Sequence, residues 1–351
     1  MKGTDHGNQA RGRASNLLLL GGAILAGLLL AELLTRVLAP QRPTAAFLRP
    51  EDTSMYRRDS KLGFVLKPGI DEPYAFGTRV KTNALGLRDR EYQPKQPREL
   101  RILSLGDSYA FGFGVELEEC YSKVVERELN RRSGEGRFSV INAGVVGYGT
   151  KQQRLAFQQL YAKLRPDVVI ATFVAGNDVY ENAVYEDQIR TGLQTPLGFV
   201  GRRSHLTRLI LRITFPLWFF LENREPGRIE HTIGLLKQLE SAFRQAGIPH
   251  LMLVIPARHQ IRPEVEPLAR LQMSLGLENL LFRQNHRVIR HFERDNVPYL
   301  DLWRALVAKD SLTPVSFADD SHLNAVGHEV VGREVVKRLQ TMLPHVTGTY
   351  P

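Results

Sequence analysis

Four short stretches of the sequence hold residues whose types suit acyl-ester chemistry. They are Gly106-Asp107-Ser108, the glycine run that opens at Gly144, Asn177-Asp178, and Asp319 with His322. Cleaving an ester by covalent catalysis needs a nucleophile, a base for its proton, a group that orients the base, and donors for the oxyanion. Ser108 follows the apolar run Ile102-Leu103-Ser104-Leu105 behind a glycine and an acid, where a nucleophile can be held up out of a sheet. His322 is the candidate base, drawing the proton from Ser108 and returning it to the leaving alcohol. Asp319 is expected to reach around a tight turn to the other ring nitrogen and fix its tautomer, with Asp320, at a less suitable offset, the alternative. The oxyanion would be met by the backbone N–H groups of Ser108 and Gly144 and the side-chain amide of Asn177. Glycine at 144 leaves no Cβ in the way of a close backbone approach.

These residues meet only if the strands before them run the same way. Candidate strands are 101–105, 138–142, 168–173, 250–255 and 298–300, with helical patterns at 121–130, 151–164, 229–246 and 280–295 between them. Such alternation predicts an α/β fold with a parallel sheet and helices on both faces. "LRPDVVIATFV" is a near-continuous apolar run of the kind buried on both faces. In an open parallel sheet, ligands bind outside the carboxyl ends of the strands. Each of the four stretches lies just past such an end, so their polar residues converge on one edge.

The constellation resembles the SGNH (GDSL-type) hydrolase superfamily over roughly residues 101–339, with Ser, Gly, Asn and His in the family's order. The resemblance implies a flavodoxin-like three-layer sandwich and the roles already given to Ser108, Gly144, Asn177, Asp319 and His322. Tyr109 replaces the leucine of the family's motif, and Ala175 stands where the third block has its first glycine. "TNALGLRDREY" resembles the corresponding stretch of membrane-anchored bacterial members.

The chain of 351 residues carries a net charge of +10, but its arginines are scattered and no nucleic-acid-binding signature interleaves them. No nucleic-acid partner is expected. The single cysteine, Cys120, excludes an intrachain disulfide and reads as a buried thiol. Residues 17–31 are uncharged and apolar, behind Lys2, Arg11 and Arg13. Extended to Leu38, with Glu32 and Arg36 one turn apart to pair, the segment reaches spanning length. The reading is an uncleaved signal anchor over 16–38, with the basic tail 1–15 inside; a cleaved signal peptide is the alternative, disfavoured by Pro40 after the cut.

A stalk and small β region over 39–98, with a hairpin in "YAFGTRVKTNALGLRDREY", then precedes a hydrolase domain over 99–345 that carries an insertion at 180–228. Within the insertion Leu206, Leu209, Ile210 and Ile213 share a helical face beside Arg203, Arg208 and Arg212. It reads either as packing on the domain or as an amphipathic lid at a membrane or acyl pocket. Asp107 and Asp178 are expected to be structural, by loop hydrogen bonds and a helix cap; His328 is a surface or packing residue. His250 and His259 have no companion ligands, so neither a metal nor another cofactor is expected. The combined expectation is a serine esterase on the periplasmic or outer face of a bacterial inner membrane. Its partners are that membrane, through 17–38, and an acyl ester of a carbohydrate or a lipid. An acyltransferase to a sugar hydroxyl is the rival chemistry, and a non-catalytic scaffold the rival of another class.

Overall fold

The computed structural model describes residues 5–40, 55–75, 77–133, 137–174, 177–183, 204–207, 209–210, 226–265, 267–276, 279–318 and 320–343. The chain divides into two units, Met1–Arg49 with Leu193–Trp218, and Pro50–Gly192 with Phe219–Pro351.

In the first unit, helix α1 runs over Asp5–Leu38. Its stretch Leu18–Leu38 has a mean hydropathy of 2.1 and is long and apolar enough to cross a membrane. The pairing expected of Arg36 and Glu32 forms, with Nε donating to Oε1 at 2.7 Å.

The second unit is organised by a five-stranded parallel sheet. Two hairpins come first in the chain, β1 (Tyr56–Asp59) with β2 (Gly63–Leu66) and β3 (Asp71–Ala75) with β4 (Thr78–Lys81). The sheet strands are β5 (Leu100–Gly106), β6 (Phe138–Gly144), β7 (Val168–Val174), β8 (His250–Ile255) and β9 (Tyr299–Asp301). Their order, β6-β5-β7-β8-β9, is the flavodoxin-like one, and it places the switch point between β5 and β7. The expected strands are all present, most of them a residue or two longer at an end.

Side chains alternate across the sheet as the strand period requires. Leu103, Leu105, Ile141, Val169, Phe173 and Val254 pack with Phe157, Phe243 and Phe292 on one face. Ile102, Val140, Ile170 and Leu253 pack with Val125, Val335 and Leu339 on the other. The helices behind these contacts are α2 (Tyr121–Ser133), α3 (Thr150–Leu164), α4 (Pro226–Gln245), α5 (Asn279–Arg294) and α6 (Ala325–Met342).

The small β region forms no separate unit. Met55, Tyr56, Leu62, Leu66, Val80 and Leu87 belong to the same buried cluster as the sheet, so the expected break at residue 98 is not a break in packing. Two charged residues of "GLRDREY" fasten it. Asp89 forms a buried ion pair with Lys123 at 2.6 Å and accepts the Asn142 N–H at 2.7 Å. The buried Arg88 donates to the carbonyls of Phe111 (3.0 Å), Gly112 (2.6 Å) and Val115 (2.8 Å). Those carbonyls close the turn that follows Ser108. A segment that precedes the sheet in sequence therefore holds the nucleophile's turn from below.

Replacing Arg88 with Met takes a donor from all three carbonyls and leaves that of Val115 unsatisfied in the interior, where such a group costs about 1–3 kcal/mol. Arg88→Met should lower the melting temperature of the full chain in mild detergent by about 2–12 °C. An unchanged melting temperature would show that the clamp contributes nothing.

Candidate active site

Ser108 opens a single helical turn, Ser108–Phe111, directly after β5. Asp107 caps it, its Oδ1 accepting the Tyr109 N–H at 2.9 Å. The turn can sit there because two strand ends lack side chains. A methyl at Gly144 would come within 2.2 Å of the Phe111 nitrogen, and one at Gly106 within 2.7 Å of the Ala110 Cβ. Close packing alone requires glycine at both positions.

Two of the candidate side chains, Ser108 and His322, are brought together. His322 Nε2 lies 2.7 Å from Ser108 Oγ. The ring is stacked on Phe113 at 4.2 Å between centroids and tilted against Tyr109 at 5.2 Å. Tyr109, at the position where the motif has leucine, also donates its hydroxyl to the Ser321 carbonyl at 2.9 Å. It thus ties the nucleophile's turn to the histidine's loop.

The carboxylate against the histidine ring is that of Asp320, the alternative orienter. His322 Nδ1 is hydrogen-bonded to Oδ1 of Asp320, and the same oxygen accepts the His322 backbone N–H at 2.8 Å. An aspartate bonded to the N–H two residues on forms an Asx-turn, which folds its carboxylate back over the ring. The offset judged unsuitable for Asp320 is the one this turn produces. Asp319, the expected orienter, lies outside the described residues. Burial alone would raise the Asp320 carboxyl, but the hydrogen bond and charge of His322, with Arg258 nearby, hold it below the ordinary aspartate value. Arg258 also donates to the carbonyls of Ala318 (2.8 Å) and Asp320 (3.2 Å), bracing the loop from the chain that follows β8.

The expected oxyanion donors divide. Asn177 stands at the end of β7 with its Nδ2 donating to Asp107 Oδ2 at 2.9 Å, which leaves the second amide proton for a ligand. The Gly144 N–H, by contrast, is engaged by Asn142 Oδ1 at 3.0 Å, so this glycine serves the close approach and not donation. Farther along the same loop, Gly147 takes φ +83°, a left-handed conformation suited to glycine, and no acceptor for its N–H is found among the described residues. Asp320, Gly147, Tyr109, Phe113 and Arg258 were not singled out for these roles by motif spacing. The aspartate-to-histidine offset and the run of glycines were the available signals for the first two.

Beneath the turn lies a group of buried carboxyls. Burial raises Asp107, an effect opposed by the Asn177 amide, the Tyr109 N–H and the charge of His322. Asp178 and Glu181 are pushed well above their ordinary values, first by burial and then by the negative charge of Asp107. Asp178 does not cap the following turn; its Oδ2 accepts the Val174 N–H at 2.5 Å and fastens the end of β7. Burial holds two other histidines neutral, His259 near 4 and His328 near 3, and His328 Nδ1 accepts the Tyr121 N–H. His328 is thus a packing residue. Cys120 is buried, as expected.

A family model described as the GDSL-like lipase/acylhydrolase family matches residues 104–330. No curated protein matches the chain. Among solved structures, a catalytic mutant of an acetylxylan esterase from Geobacillus stearothermophilus is 16% identical, with a TM-score of 0.44 over 68% of this chain and 94% of that one. The psychrotrophic esterase EstA from Pseudoalteromonas is 13% identical, with a TM-score of 0.41 over 70% and 100%. A lipolytic G-D-S-L protein from Veillonella parvula is 14% identical, with a TM-score of 0.40 over 68% and 97%.

Two outcomes follow from this geometry. Asp320→Asn should lower kcat by about 10³–10⁴-fold, the loss typical of a triad carboxylate, while Asp319→Asn leaves it near the parent value. Steady-state kinetics decides, and the reverse ranking would return the role to Asp319. The second outcome concerns pH. In the folded chain Asp178 keeps a proton that the unfolded chain releases above about pH 4, so folding stability falls as pH rises past that point. Asp178→Asn removes this loss. The variant should gain melting temperature over the parent at pH 8, and the gain should shrink towards pH 4.

Proposed function

Because the chain belongs to the GDSL-like lipase/acylhydrolase family, we propose that this carboxylic ester hydrolase works through an acyl-enzyme formed on Ser108. The contact of His322 Nε2 with Ser108 Oγ at 2.7 Å carries the reading. In the first step Ser108 Oγ attacks the ester carbonyl carbon and its proton passes to His322 Nε2. Asp320, on Nδ1, stabilises the imidazolium that forms. The tetrahedral oxyanion is met by the N–H groups of Ser108 and Gly147 and the free amide proton of Asn177. Collapse breaks the bond to the alcohol oxygen, which leaves with the proton from Nε2. Water then gives a proton to His322, attacks the acyl-serine carbonyl and releases the carboxylic acid, restoring Ser108.

The segment Leu18–Leu38 is read as a retained anchor in a bacterial cytoplasmic membrane, with Lys2, Arg11 and Arg13 on the cytoplasmic side and the hydrolase domain outside. An enzyme held there works beside envelope polymers, which favours O-acetyl groups of a cell-envelope carbohydrate as substrate.

Ser108→Ala should remove turnover of an acetyl ester, by about 10⁴–10⁶-fold, without changing the melting temperature. Full parental activity in the alanine variant would overturn the mechanism. Product analysis with acetyl and long-chain esters, each with and without a sugar acceptor, tests the substrate class. Free acetate from acetylated carbohydrate supports the proposal. Preference for long chains would make the enzyme a lipid esterase, and an acylated sugar product would make it a transferase.

A further inference from the structure

Glu32 is an anomaly in an apolar helix. It lies within the stretch Leu18–Leu38, about 9 Å from its end at the helical rise per residue. An ionised carboxylate at that depth in a bilayer is costly unless partners satisfy it. Glu32 has such partners. Besides Arg36, it accepts the hydroxyl of Ser204 at 2.7 Å and the backbone N–H groups of His205 at 3.0 Å and Leu206 at 2.9 Å.

Those donors belong to the first turn of a helical segment in the insertion, whose N–H groups have no intrahelical acceptor and favour negative charge. Ser204 supplies the local cap as well, its Oγ accepting the Thr207 N–H at 2.9 Å. The helix surface agrees. Most of the large side chains of Leu18–Leu38 are more than half exposed, whereas Ala31, Glu32 and Thr35, which share a face, are withdrawn from solvent. From Ser204 to Leu221 the sequence is apolar and basic, "SHLTRLILRITFPLWFFL", without an acidic residue. Basic and apolar residues together suit the interface of an anionic bilayer.

We propose that Glu32 docks the insertion onto the anchor helix at Ser204–Leu206, so that residues 204–207 and 209–210 lie in the interface of the bilayer that the helix spans. The anchor is then a working part of the mature fold, since cleavage near Pro40 would remove the acceptor that this helix start uses. The proposal rests on the membrane reading of Leu18–Leu38 given above.

The test uses the full chain in vesicles of phosphatidylcholine and phosphatidylglycerol containing brominated lipid. A bimane label is placed singly by Leu25→Cys in the span, Ile210→Cys in the insertion, or Leu312→Cys on the exposed surface of the second unit. Cys120 stays unlabelled at neutral pH, because burial pushes its thiol up to about 12. The labels at 25 and 210 should both be quenched by the lipid while the label at 312 is not. Glu32→Ala should reduce quenching at 210 several-fold and leave 25 unchanged, with Glu32→Gln between the two. If the label at 25 is quenched but that at 210 behaves like 312, the docking is wrong and the anchor stands. If the label at 25 is not quenched, the membrane reading fails and the docking with it. Quenching at 210 that ignores Glu32→Ala would overturn the role of Glu32.

Discussion

The carboxylate of Asp107 is the joint on which the site turns. One oxygen caps the turn that presents Ser108, and the other holds the amide of Asn177. These residues arrive from β5 and β7, the strands at the sheet's switch point, and a single buried side chain fixes their separation. A buried carboxylate is stable only with partners of this kind, so folding and active-site assembly become one event. The neighbouring Asp178 and Glu181 accommodate its charge by keeping their protons.

Around that joint, rigidity comes from small distances and not from strong bonds. Gly106 and Gly144 let the nucleophile's turn lie against two strand ends, and Arg88 closes it from the far side. His322 is held by a stack on Phe113, by Tyr109 reaching to Ser321, and by the Asx-turn of Asp320. A base in such a setting needs no rearrangement to meet its serine, the condition for electrostatic and proton-transfer catalysis to act at full strength.

Much of this was legible in the sequence, and the failures have definite causes. Strand periodicity is a strong signal, so the buried runs 168–174 and 250–255 and their shared edge could be read directly. The placement of Ser108, His322 and Asn177 at that edge could be read with it. The role of Asp320 could not, because the choice between adjacent aspartates depends on a turn whose backbone bond is invisible in spacing. Gly144 was recognised as a close-approach position, but where its N–H points depends on the Asn142 side chain. Arg88 lies in a recognisable stretch and Arg258 in none, but neither role could be read, because both donate to carbonyls and carbonyls are present at every residue.

The hexapeptide Ser108–Phe113 holds the nucleophile, the hydroxyl that reaches the histidine loop and the ring on which the histidine stacks. Their common alignment depends on the helical turn Ser108–Phe111, in which each residue advances the direction of its side chain by about 100°, and on the left-handed Gly112 that ends the turn before Phe113. One residue gained or lost within it would swing Phe113 away from His322 and withdraw support from the base while leaving every catalytic side chain encoded. Lineages of this enzyme should therefore accept substitutions in the stretch far more readily than changes in its length.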